Sequence, residues 1–310
     1  MSKAIRILQG CFGRVALLDM NEPLVEHAHH HCHMLFKSFG HDTAFQIHDE
    51  FRYLTDDTAV LINSWEPHCY AHRAGAPETV ILALYVEPRW LIESDRTVFR
   101  GVVTPFFASR QAYVSPHARK IVHALTELLL DLGAITSEEV ETLLVSLIMS
   151  MIDRSSIGAA AMARPTKDFR IRKAITFLHE NLGSHVAVEE VASHAGVSRP
   201  HFFTLFRRCT GLSPGMYFNV LRMEEAIRRL SLGRQPLADV AFDLGFDAQS
   251  NFTRFFRRHQ GVPPMEFRKA TDLIGASHPL DVEDGRSADD VAWPKANKAP
   301  FGTLGSSRAP

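Results

Sequence analysis

The sequence predicts an α+β chain. A strand-rich first half, closed by a helical hairpin, is followed by an all-helical second half. Three observations predict it: short β-rich runs before residue 100, a change of hydrophobic period after Ser115, and a repeat within 189–267. The 310 residues are enough for two ordinary domains, and a hydrophobic share of 45% is that of a soluble protein with proper cores.

Over about 5–100, "TAFQIHDE", "AVLIN" and "TVILALYV" read as strands separated by the turn-like "TDD", "SWEP" and "RAGAPE". Many short strands without a helical period imply a sandwich or small barrel. Ile121, Leu125, Leu128, Leu129 and Leu132 then recur at three and four, with Gly133 placed as a C-cap. After Ser137 a second helix carries Val140, Leu143, Leu144, Leu147, Ile148 and Met151, and a four-residue link makes the pair an antiparallel hairpin. That hairpin is apolar on more than one side, which suits either packing on its own domain or a dimer seam. The reading therefore divides the chain into 1–112, a hairpin at 113–154, a small-residue linker at 155–167, a helical domain at 168–270 and a disordered tail at 271–310.

Charge separates the halves. Residues 1–165 carry a net −5 and residues 166–270 a net +6, so only the second half is suited to a polyanion. The N-terminus is broken by charge too early for a signal peptide, and the longest apolar run, Val80–Val86, is far too short to span a bilayer. Cys11, Cys32, Cys69 and Cys209 show no CxxC spacing. Reduced thiols in a cytoplasm are expected, with no membrane partner.

Within the helical half, "EEVASHAGVSRPHFFTLFRRCTGLSPGMYF" (189–218) matches "ADVAFDLGFDAQSNFTRFFRRHQGVPPMEF" (238–267). Ala192, Gly196 and Val197 align with Ala241, Gly245 and Phe246 at an offset of 49. Phe202, Phe206, Arg207, Arg208, Gly211 and Pro214 align with Phe252, Phe256, Arg257, Arg258, Gly261 and Pro264 at 50. Each copy has helix-turn-helix grammar, at 188–208 and 238–258. A small Ala permits close crossing, a Gly permits the turn, and Ser198 or Asp247 opens the second helix as a cap. Phe202, Leu205 and Phe206, or Phe252, Phe255 and Phe256, are placed to be buried. The opposite faces show Arg199, Pro200, Phe203 and Thr204 in the first copy, and Gln249, Ser250, Asn251 and Arg254 in the second. Between the copies, Ser213-Pro214 caps a helix of about 18 residues, roughly 27 Å long. Such a spacer can hold two recognition helices about one DNA turn, ~34 Å, apart.

These residues carry a resemblance: 168–270 is similar to the DNA-binding domain of the AraC/XylS transcription regulators, with "LRMEEAIRRL" matching the linker helix. The resemblance implies base contacts from Gln249, Ser250, Asn251 and Arg254, and residue chemistry agrees, since Arg can chelate guanine and Gln or Asn can pair with adenine. In the first copy Arg199 and Thr204 are the better readers, because Pro200 and Phe203 offer no side-chain hydrogen bond. Arg208 and Arg258, with Arg207 and Arg257, suit phosphate contacts or a solvated helix end. The resemblance further implies a cupin-like effector-binding barrel at the N-terminus, a dimerising helical pair, and activation through RNA polymerase.

Against that frame stands "VEHAHHHCHM", 25–34, with His27, His29, His30, His31 and His33. Read as a strand, the odd-numbered histidines share one face about 6.6–6.8 Å apart, so one ion reaches two neighbours only. Three readings stay open. The run is a half-buried polar strand; or a pocket lining for an organic effector (His29, His31, His33, Trp65 and His68, with Tyr70 and His72 nearby), such as an anion drawn by protonatable imidazoles; or a divalent-metal site using two of His29, His31 and His33 plus His68. No acid follows within four residues of the H-x-H motif, which argues against a cupin enzyme. No cofactor is assigned. Cys32 and Cys69 fit buried thiols better than redox sensors. The chain reads as a dimeric, non-enzymatic, effector-controlled regulator of transcription that binds operator DNA.

Overall fold

The computed structural model describes residues 2–73, 75–94, 106–131, 133–151 and 168–275. The expected linker (155–167), Leu132 of the hairpin stripe and the tail beyond 275 lie outside these residues. Two compact units emerge. Among the described residues the first holds 2–151, 230–233 and 253–275, and the second holds 168–229 and 234–252.

The first unit is built on a seven-stranded sheet ordered β10-β1-β2-β8-β3-β6-β9 and a three-stranded sheet ordered β5-β4-β7. The strands are β1 Lys3–Gly10, β2 Gly13–Met20, β3 Cys32–Gly40, β4 Thr43–Ile47, β5 Glu50–Leu54, β6 Thr58–Ile62, β7 His68–Tyr70, β8 Thr79–Val86, β9 Gln111–Tyr113 and β10 Thr271–Leu273. Every pairing is antiparallel except β1 with β10. "TAFQIHDE" is not one strand but β4, a turn and the start of β5. His48 takes φ 53° there, and that left-handed residue reverses the chain. Gly13 has φ 105° where β2 leaves its hairpin. A Cβ there would stand 2.1 Å from the Tyr85 carbonyl oxygen, so only glycine lets β2 lie against β8.

Helices α1 (Pro88–Ser94), α2 (Pro116–Leu130) and α3 (Ser137–Met151) complete the unit. Ser115 caps α2 by accepting from the Ala118 amide at 3.1 Å. The hairpin departs from expectation in its link. α2 ends at Leu130 with Asp131 as C-cap in extended conformation, and Gly133 instead donates its amide to the Asp131 carboxylate at 3.0 Å. The connection thus runs 131–136 rather than four residues. Thr136 and Glu139 exchange amide-to-side-chain bonds at 3.0 and 3.3 Å, a capping box that starts α3. Ile121, Leu125, Leu129, Val140, Leu144, Leu147 and Ile148 all enter one core with Phe12, Met34, Phe36, Leu82, Leu84 and Trp90. The apolar stripes of the hairpin are therefore spent largely on the sheet of their own unit.

The first residues of the expected tail are structured. Thr271–Leu273 pairs with Ile7–Gln9, and Arg6 donates to the Asp272 carboxylate at 2.8 Å. A polar, Gly- and Ala-rich context hides a strand this short, because its partner is supplied from the other end of the chain.

The helices that follow are α4 (Phe169–Glu180), α5 (Val188–His194), α6 (Arg199–Thr210), α7 (Pro214–Leu232), α8 (Leu237–Asp243), α9 (Gln249–Gln260) and α10 (Pro264–Ala270). The division between the units passes through α7 and α9. Asp168 caps α4 by accepting from the Arg170 amide at 3.0 Å. Gly196 and Gly245, at φ 71° and 76°, make the left-handed turns between α5 and α6 and between α8 and α9. Ala192, Phe202 and Phe206 in one copy and Ala241, Phe252 and Phe256 in the other are all buried.

Candidate functional site

Two sets of residues carry the chemistry. The first is the pair of helix faces turned away from the phenylalanine cores. Burying Phe202, Leu205 and Phe206 on one side of α6 leaves Arg199, Pro200, Phe203, Thr204 and Arg208 exposed. On α9, Gln249, Ser250, Asn251, Arg254 and Arg258 are likewise exposed. Phe255 departs from its expected place: it is half-buried, its ring 4.4 Å from that of His259.

The caps also differ from expectation. Ser198 occupies the N-cap of α6 without a side-chain bond, and the Asp247 carboxylate instead pairs with His185 Nε2 at 3.0 Å. A local cap is not needed where the turn is already held by the packed phenylalanines. The faces differ in their own contacts. Arg199 reaches the Glu189 carboxylate at 3.0 Å and lies 5.9 Å from the Phe203 ring centroid, and the Thr204 hydroxyl donates to the Pro200 carbonyl at 3.2 Å. Arg257 is bound through both carboxylate oxygens of Glu22 at 2.7 and 2.6 Å, inside the first unit.

Sequence reasoning passed over Arg222 on α7. Its guanidinium donates to the Leu182 carbonyl at 3.3 Å and the Ser184 carbonyl at 2.8 Å, and stands over Phe218 at 4.3 Å and Phe246 at 5.4 Å. Burial lowers its pKa to about 10. Phe246 follows the glycine of the second turn, so Arg222 fastens the connecting helix to that turn.

The second set is the histidine cluster, and here the strand reading is corrected. β3 begins only at Cys32; His27 makes an isolated bridge with His68, and the chain bends at His30 and His31. The bend folds His29 back onto His33: His29 Nε2 lies 3.1 Å from His33 Nδ1, where two strand residues four apart would be about 13 Å apart. His29, His33 and His68 each offer a ring nitrogen within 4.8 Å of the others. His31 leaves this group and joins His30 and Glu87 in a second, half-buried one.

The register explains the aim of His33. On β3, Cys32, Met34 and Phe36 point into the core with the hairpin. His33 takes the other face, opposite Tyr85 in register, with its ring stacked at 4.1 Å. His68, on β7, meets it from the three-stranded sheet, ring centroids 5.6 Å apart. Trp65 is half-buried with φ 63°, and its amide donates to the His29 carbonyl at 2.7 Å. Tyr70 is buried with its hydroxyl 3.3 Å from His72 Nδ1, and no described contact joins that pair to the His29, His33 and His68 cluster.

Backbone carbonyls fix the tautomers. His29 Nδ1 donates to the His31 carbonyl at 3.0 Å and His68 Nδ1 to the Glu66 carbonyl at 2.8 Å, which leaves both Nε2 atoms as lone pairs in the neutral rings. Burial acts against charge on the Glu66 carboxylate, but bonds from Arg110 and the Asn63 amide outweigh it and hold its pKa below the usual carboxylate value. That network anchors the loop leading into His68. Burial, with the neighbouring imidazoles, holds His29, His33 and His27 well below the ordinary histidine range, and burial takes His68 down to about 4. Burial therefore works against protonation of these rings, and in their neutral form His29 and His68 present Nε2 lone pairs. Burial also pushes the Cys32 thiol up to about 11, and raises that of Cys69, so neither is a poised thiolate. No helix among the described residues is long and apolar enough to cross a membrane.

Comparison with known proteins bears on the first set. Residues 191–270 match a family model described as a helix-turn-helix domain. Multiple antibiotic resistance protein MarA of Escherichia coli (strain K12) is 31% identical over 121 residues, 38% of this chain and 94% of that protein. The arabinose operon regulatory protein of Salmonella typhimurium is 29% identical over 215 residues, 67% of this chain and 73% of that protein. Among solved structures, an apo point variant of ToxT from Vibrio cholerae strain SCE256 has a similar fold: TM-score 0.54 at 11% identity, covering 84% of this chain and 97% of that one. The duplicated helix-turn-helix, the connecting helix and these relatives agree, and the chain belongs to the AraC/XylS family of DNA-binding transcription regulators.

Proposed function

We propose that this regulator reads operator DNA through two recognition helices and is controlled by a ligand held at the histidine cluster. The observation that carries the DNA half is the equivalent exposure of Arg199, Pro200, Phe203, Thr204 on α6 and Gln249, Ser250, Asn251, Arg254 on α9, each opposite a buried phenylalanine pair. The connecting helix α7, 19 residues or about 28 Å long, supports placement in successive major grooves. Arg208 and Arg258 would contact phosphates, fixing register without reading bases.

In this reading 168–270 is the DNA-binding domain and 1–112 the effector domain. The hairpin 113–154 is the dimer contact, RNA polymerase the downstream partner, and the protein a cytoplasmic regulator without enzymatic turnover. The effector would have to favour one arrangement of the DNA-binding domains to exert control. Selection of bound sequences from a random duplex pool by the full chain tests the DNA half: one enriched motif with two elements about one turn apart is expected. No enrichment over the starting pool would sink it. A thermal-shift screen of metabolites and metal ions against the full chain tests the control half, and sedimentation velocity tests the dimer.

A further inference from the structure

Three ring nitrogens converge in the first unit with the geometry of a coordination site. We infer that His29, His33 and His68 bind one divalent transition-metal ion of the zinc, cobalt or nickel kind. Two nitrogens bound to one ion at about 2.1 Å stand about 3.0 Å apart at a right angle and about 3.4 Å apart at the tetrahedral angle. The His29 Nε2 to His33 Nδ1 separation of 3.1 Å falls between these values. The third ligand comes from a different strand, and a candidate nitrogen from each of the three residues lies within 4.8 Å of the others.

A second observation is independent of that spacing. His68 is 1% exposed, and its Nε2 atom is buried without a hydrogen-bond partner. Buried polar atoms are nearly always satisfied, and an orphan at a cluster marks something the protein chain alone does not supply. For His68 the orphan is a lone pair, because its Nδ1–H is committed to the Glu66 carbonyl. His29 is held in the same tautomer by the His31 carbonyl. Such carbonyl-fixed imidazoles are the usual outer shell of histidine-ligated metals.

The donor set selects the ion. Three imidazoles with no carboxylate suit zinc, cobalt, nickel or copper rather than magnesium or calcium. The nearby Glu66 carboxylate is taken by Arg110 and Asn63, and Cys32 points to the opposite face of β3. Three protein ligands leave a coordination position open to a further donor. The inference deepens the sensor reading by naming the ligand class, yet it is testable without DNA.

The test uses the full chain, stripped with a chelator and titrated with Co²⁺ by visible absorption and with Zn²⁺ by calorimetry. One ion per chain is expected. His29→Gln and His68→Gln should each weaken binding by more than about tenfold, while His31→Ala, in the other cluster, should leave it unchanged. Failure of the wild-type chain to saturate near one ion would overturn the inference, as would a loss in His31→Ala equal to that in His68→Gln. Should the glutamine variants misfold, proton NMR of the Co²⁺-loaded wild type decides: hyperfine-shifted signals from three histidine rings support the site, and signals from fewer reject it. A negative result here leaves operator selection untouched, and absent operator selection leaves the metal count untouched.

Discussion

The two helix-turn-helix copies share an interior and differ in what they show. Phe202 and Phe206 are as buried as Phe252 and Phe256, and both turns use a left-handed glycine. Their outer faces are another matter. α9 displays four side chains able to hydrogen-bond base edges, whereas α6 displays Pro200 and Phe203 beside an Arg199 already paired to Glu189. Duplication preserved the packing and released the surface, so the copies should contribute equally to stability and unequally to sequence discrimination.

The largest expected effect probes the equality. Phe206→Ala and Phe256→Ala should each cost about 3–5 kcal/mol of folding stability. Urea unfolding with similar losses for the two would support equal cores, and a loss confined to one would break the comparison. Next comes the inequality: Arg254→Ala should weaken operator binding by about 1–3 kcal/mol and relax preference at one base position. Equal losses on operator and random DNA, by fluorescence anisotropy, would show that Arg254 does not read bases. Arg199→Ala should cost less than about 1 kcal/mol, since its partner Glu189 competes for it at an exposed site. Phe203→Ala is expected to change operator affinity by about 0.5 kcal/mol or less, and a larger change would make the first copy a reader by shape. Outside the comparison, a chain ending at Ala270 should melt below one ending at Gly275, because only the latter keeps β10 on β1. Circular dichroism melts showing no difference would make that pairing incidental.

What the sequence disclosed follows from how local each signal is. The duplicated units were legible because Ala, Gly and the phenylalanine spacing act within about twenty residues and occur twice. The hairpin was legible in its helices but not in its link, since Asp131 rather than Gly133 ends α2. The histidine site was half legible. His68 was named as the partner from outside the run, but a period-of-two reading of His27 to His33 assumed a strand where the chain bends. That bend is stabilised by groups far along the chain, the Trp65 amide on the His29 carbonyl among them, and no local pattern announces it. β10 was invisible for the same reason: its pairing partner, Ile7–Gln9, lies at the opposite end of the chain.

One small irregularity of the repeat has a practical consequence. Gly196 lies three residues before the start of α6, and Gly245 lies four before the start of α9. The two turns differ in length, yet the same phenylalanine pair is buried after each. Turn length therefore does not set how the second helix docks; the aromatic pair does. A recognition helix behaves as a cassette bounded by its own core anchors. The segment Gln249–Arg254 could be exchanged for another exposed sequence, provided Phe252 is kept, without rebuilding the turn before it.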